Sequence, residues 1–177
     1  GMSGHISIRP VATKADRKTF VDFAWEVYKD DPNWVPPLKD EVHGLLDPRK
    51  NPWFGHGRAA LWLALRGGKI VGRISAQVDD LVQVHMTPGT GQWGMFEALD
   101  GEAAAALIAT AEHWLRGEAM VRALGPISIS IWDEPGLLVK GHDHPPVIMM
   151  GHHSPAYQAW IERRGYDLAK RMVTYDL

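Results

Sequence analysis

The chain has 177 residues, nineteen basic and twenty-one acidic, for a formal charge of -2. That balance excludes the basic face that a nucleic-acid binder needs, and the absence of cysteine excludes disulfides, thiolate nucleophiles and cysteine-based zinc sites. No run approaches the ~18 apolar residues of a membrane span and no signal-peptide pattern opens the chain, so a cytoplasmic protein with no membrane contact is expected, one domain over 2–177 once Gly1 is set aside as an expression scar.

The segment "HISIRPV" alternates Ile6 and Ile8 with polar neighbours and predicts a first strand. Thr13, with Asp16 three residues on, resembles a capping box. Phe20, Phe23, Ala24, Val27 and Tyr28 then repeat at helical spacing until Asp31-Pro32 closes the helix. Leu38, Val42, Leu45 and Leu46 predict a short second helix, ended by Pro48. "NPWFGHG" reads as a loop. "RAALWLALR" and "KIVGRISAQVDD", joined by Gly67-Gly68, predict a hairpin, with Ile70, Gly72, Ile74, Ala76 and Val78 on one face. "QWGMFEAL" predicts a further strand, on which Trp93 and Phe96 are expected in the core. "GEAAAALIATAEHWLRGEA" is the most helical stretch, with Ala104, Leu107, Ile108, Ala111, Trp114 and Leu115 as its buried stripe. "LGPISISIW" returns to alternation. Ser154-Pro155 starts a last helix, Gly165 caps it, and "RMVTYDL" predicts a final strand.

The order β-α-α-β-β-β-α-β-α-β, together with "SPAYQAWIERRGYDLAKRMVTYDL", where Gly165-Tyr166 follow an amphipathic helix and precede a strand, resembles the GNAT N-acetyltransferases. "YKDDPNWVPPL", "LLDPRKNPWF" and "GLLVKGHDHPPVIMM" are similar to an uncharacterised bacterial branch of that superfamily. The resemblance implies an α/β (α+β) fold: a central, mixed, mostly antiparallel twisted sheet with helices on both faces. It further implies acyl transfer from acetyl-CoA or another acyl-CoA to an amine. It places the cofactor near Met95, Phe96, Glu97, Gly101 and Ser154, and the catalytic groups among Glu97, Glu134 and Tyr157.

Two departures qualify it. The family's glycine-rich phosphate loop corresponds here to "FEALDGEAAAAL", which keeps only Gly101 and adds Glu97, Asp100 and Glu102. Carboxylates at a helix start suit its dipole but compete with a phosphate for the same amides. The family's tyrosine acid falls on Ile161, which donates no proton; Tyr157, one turn earlier on the same side, is the substitute. Glu97, Asp133, Glu134 and His142 are the candidate bases, each weighed against a structural or solvated role.

The stretch from Ile131 to Pro155 holds His142, His144, His152 and His153. Adjacent histidines point apart in an extended chain and no helical metal spacing occurs, so no metal site is assigned. An ordered loop covering one end of the sheet is expected. Two functions stay open: an N-acyltransferase with a degenerate phosphate loop, and a non-catalytic GNAT-like domain binding a small molecule or a partner such as its own copy, as a homodimer. A metal-dependent hydrolase is the distant third.

Overall fold

The computed structural model describes residues 4–85, 88–126, 155–169 and 172–177. Its core is a seven-stranded sheet in the order β1-β2-β3-β4-β5-β7-β6. The strands are β1 (Ile6–Pro10), β2 (Gly57–Arg66), β3 (Lys69–Asp79), β4 (Thr90–Ala98), β5 (Arg122–Gly125), β6 (Asp167–Ala169) and β7 (Met172–Asp176). Only β4 and β5 run parallel; every other pair is antiparallel. The β2–β3 hairpin turns at Gly67 and Gly68, whose φ values of 58° and 80° suit glycine.

Helices cover both faces. On one lie α4 (Gly101–Gly117) and α5 (Pro155–Arg163), packing Leu107, Ile108, Ala111, Leu115, Tyr157 and Ile161 against Ile74, Ala76, Val78, Trp93 and Phe96. On the other lie α1 (Lys14–Tyr28), α2 (Lys39–Leu45) and a 3-10 turn at Pro52–Gly55, packing Phe20, Val21, Val42, Leu46 and Trp53 against Leu63. A register shift between Ala64 and Leu65 opposes Ala64 to Gly72 and Leu65 to Ile70, leaving Val71 as the extra residue. Ile70 therefore packs on the α1 side, not with Ile74, Ala76 and Val78 as strict alternation predicts.

Thr13 caps α1 as expected. Its hydroxyl accepts from the Asp16 amide at 3.0 Å, and the Asp16 carboxylate accepts from the Thr13 amide at 3.3 Å. Thr13→Ala should cost about 1 kcal/mol, read from the urea midpoint at unchanged slope. The α4 stripe forms with one exchange: Trp114 is only partly buried, whereas Glu112 is fully buried and accepts from Arg164 at 2.6 Å. Gly165 follows α5 at φ 92°. Three short elements escape the sequence reading: the 3-10 turn at Pro52–Gly55, in a stretch read as a loop, α3 (Asp80–His85), started by the charged end of "QVDD", and β6, too short for any periodicity. The alternating stretch beyond Pro126 lies outside the described residues.

Candidate functional site

The site forms where β4 is broken. Arg73 opposes Glu97 and Ser75 opposes Gly94, so Met95 and Phe96 together face Ile74. This is a β-bulge, and Met95 adopts φ 47°, a conformation uncommon for a side-chain-bearing residue. Phe96 enters the α4 core while Met95 packs on the α1 side. The kink also aims Glu97 under the end of α1.

Two tyrosines meet Glu97 there. Tyr28, at the last turn of α1, donates to Glu97 Oε2 at 2.8 Å. Tyr157, from α5 across the sheet, donates to the same oxygen at 3.0 Å and accepts from the Ala98 amide at 2.9 Å. It reaches that edge because β4 and β5 pair only from Thr90 to Gln92; beyond Gln92, among the described residues, β4 has no strand partner on that side. Arg73, the residue opposite Glu97, donates to the Phe20 carbonyl at 2.8 Å, and its guanidinium lies 4.9 Å from the Phe20 ring centre.

All four groups are buried, and burial dominates their acidities. It raises Glu97 above the ordinary carboxylate range, against the pull of Arg73 and the two hydroxyls. Burial, then the Glu97 charge, push both tyrosines up, so they hold their protons. Burial lowers Arg73, and Glu97 opposes that. The result is a carboxylate that takes up a proton readily and is wired to a phenol. That is what a general base with a proton outlet requires.

The start of α4 differs. Asp100 caps the helix, accepting from the Ala103 amide at 2.8 Å. Arg66 pairs with Asp100 and, at 3.2 Å, with Glu102. A Cβ on Gly101 would lie 3.0 Å from the Trp160 indole nitrogen. The protein's own carboxylate and an indole therefore take the position where a helix start would receive an anion. A diphosphate does not fit this turn.

Of the residues expected from sequence, Met95, Phe96, Glu97 and Tyr157 come together at the bulge. Phe96 packs at 5.2 Å from the Tyr157 ring. Gly101 lies at the closed helix start. Glu134 and Ser154 lie outside the described residues, as do Asp133 and the histidines of 142–153. Among the described residues no three His, Asp or Glu side chains are grouped to hold a metal, and no helix is long and apolar enough to cross a membrane. Sequence reasoning missed Tyr28, Arg73 and Arg66. One signal was present: "RISAQVD" alternates strictly, and a charged residue inside a strand that is buried on both faces demands a partner.

No family model matches the chain. Solved structures do. A tandem GNAT protein from the clavulanic acid biosynthesis pathway superposes with TM-score 0.62 and 17% identity, over 94% of this chain and 45% of that one. A putative GNAT acetyltransferase from Desulfovibrio desulfuricans gives 0.58 and 13% identity, over 97% of this chain and 99% of its own. The fold is that of the GNAT acetyltransferases. Two curated relatives are similar at the sequence level. Protein YghO of Escherichia coli is 42% identical over 160 residues, 90% of this chain and 41% of its own length. A bacterial ceramide synthase of Caulobacter vibrioides is 42% identical over 174 residues, 96% of this chain and 45% of its own length. The chain thus spans less than half the length of each. The bulge in β4 precedes the α4 start in the chain, and the protein's own side chains meet the backbone at both, Tyr157 at the Ala98 amide and Asp100 at the Ala103 amide.

Proposed function

We propose that this GNAT domain is an N-acyltransferase that moves an acyl group from a thioester of the acyl-CoA type to a primary amine. The supporting observation is the hydrogen-bonded pair Glu97–Tyr157 on the β4 bulge. The amine nitrogen attacks the thioester carbonyl, a C–N bond forms and the C–S bond breaks. The amine proton goes to Glu97. Tyr157 gives its own proton to the departing sulfur and is reprotonated from Glu97. Neutralising Glu97 removes the charge that holds the phenol proton, so the first transfer assists the second.

The acceptor end is aromatic and apolar. The Tyr28 ring stacks on Trp34 at 5.2 Å, and Trp34 meets Trp25 at 5.4 Å. Beyond Trp34, Val35 and Leu38 are 83% and 67% exposed. That run of aromatic and apolar side chains between the surface and Glu97 suits a long-chain amine. The relative called a ceramide synthase agrees, since a ceramide is the amide of a long-chain amino alcohol.

Mass-spectrometric detection of the amide from a long-chain amine and an acyl thioester tests the reading. Turnover that vanishes with every amine would leave a non-catalytic binding domain, the reading that the closed α4 start favours. Tyr157→Phe should lower turnover about 10²-fold, through loss of the proton donor. It should also cost about 1–3 kcal/mol in unfolding free energy, because the Ala98 amide is left buried without its acceptor.

A further inference from the structure

The α4 start carries an inference about the donor, resting on the acyl-transfer reading above. A helix start offers free amides and a positive dipole end, which is why anions collect there. In this protein both are spoken for. The Asp100 carboxylate takes the Ala103 amide through Oδ1 at 2.8 Å and also bonds the Glu102 amide. Arg66, itself buried, divides its charge between Asp100 and Glu102. The bond from Arg66 is the largest effect on Asp100 and keeps it ionised. Trp160 roofs Gly101, so backbone cannot be approached closely there. A diphosphate at this turn would meet two carboxylates and displace an existing ion pair.

The edge of β4 is the opposite case. From Gly94 to Glu97 the described residues supply no strand partner on the β5 side, whereas Gly125 lies against Trp93 and the Tyr157 hydroxyl takes the Ala98 amide. An extended chain bearing amides pairs with such an edge as a strand would. We propose that the donor is recognised through an acyl-pantetheine arm alone, and that Asp100, Arg66, Glu102 and Trp160 exclude its nucleotide diphosphate from the α4 start. The ligand class is an acyl-pantetheine thioester. Free acyl-CoA and an acylated carrier protein both present that arm.

Calorimetric titration of the protein with CoA, with pantetheine and with adenosine 3′,5′-bisphosphate is the test. CoA and pantetheine should bind within about threefold of each other, and the bisphosphate should not bind at millimolar concentration. CoA binding about 100-fold tighter than pantetheine, binding of the bisphosphate alone, or no binding of either arm would each overturn the inference. A turnover comparison then separates the sources. Equal use of acyl-CoA and acyl-carrier protein, or preference for the carrier, agrees with it; about 100-fold preference for CoA does not. Failure of turnover with every thioester would end the acyl-transfer reading, whereas equal binding of CoA and pantetheine would still support recognition through the arm.

Discussion

Glu97→Gln should lower turnover by about 10²–10⁴-fold while the protein stays folded. Glutamine keeps an oxygen for both tyrosine hydroxyls but cannot accept the amine proton. The pH dependence makes the test specific. A base must be ionised to act, so kcat/KM of the native protein should climb with pH through the raised Glu97 value, above the ordinary carboxylate range. The variant should lose that limb. Stability should respond in the reverse sense. The folded-state value lies above the unfolded one, so the folded protein binds the proton more readily. Glu97 thus contributes stability that is complete below the ordinary carboxylate value and lost as pH rises through the raised one. Denaturant midpoints of native protein and variant, compared across that interval, should show the slope only in the native protein. An unchanged rate in Glu97→Gln would remove Glu97 from the chemistry. Glu97→Asp controls for Arg73, since it keeps a negative charge opposite the guanidinium.

Trp93→Ala should destabilise the protein by about 3–5 kcal/mol. Trp93 is fully buried, with ring centres 5.6 Å from Phe96 and 5.6 Å from Tyr166. The backbone of β5 is fitted to it, because a Cβ on Gly125 would lie 2.6 Å from the indole. Truncation leaves a cavity that the sheet cannot close, with Trp93 paired to Ala76 of β3 and Gly125 of β5 lying against the ring. At about 2–4 °C per kcal/mol for a chain of this length, the melting temperature should fall by about 10 °C. A loss below about 1 kcal/mol would mean that α4 and α5 collapse onto the gap.

The parts of the fold governed by neighbours in sequence were legible there. The capping box of α1, the Gly67-Gly68 hairpin and the apolar stripe of α4 each follow from spacings of a few residues. What one slipped residue decides was not legible. The bulge at Val71 moves Ile70 to the other face, and the bulge at Met95 turns Glu97 toward α1; neither leaves a mark in hydrophobic periodicity. Long-range pairing was equally silent. By spacing Tyr28 falls in the apolar stripe of α1, although a buried tyrosine usually needs a partner for its hydroxyl; that partner lies 69 residues on. Tyr157 is marked by its place on the last helix, but its hydrogen bonds to Glu97 and the Ala98 amide depend on the short β4–β5 pairing. The acidic turn before α4 was visible as charge, and the pairing with Arg66 was not.

The two sides of the sheet also age differently under mutation. Facing α4, β3 presents Ile74, Ala76 and Val78; facing α1 it presents Arg73, Ser75, Gln77 and Asp79, all buried. Asp79 is held by Trp53 and Leu81 and Arg73 by the Phe20 carbonyl, but apolar side chains of similar volume would fill these positions without the cost of burying polar groups. A random library screened for heat resistance should therefore accumulate apolar replacements on the α1 side and leave the α4 side alone. Its survivors would be sturdier proteins that have forgotten their trade.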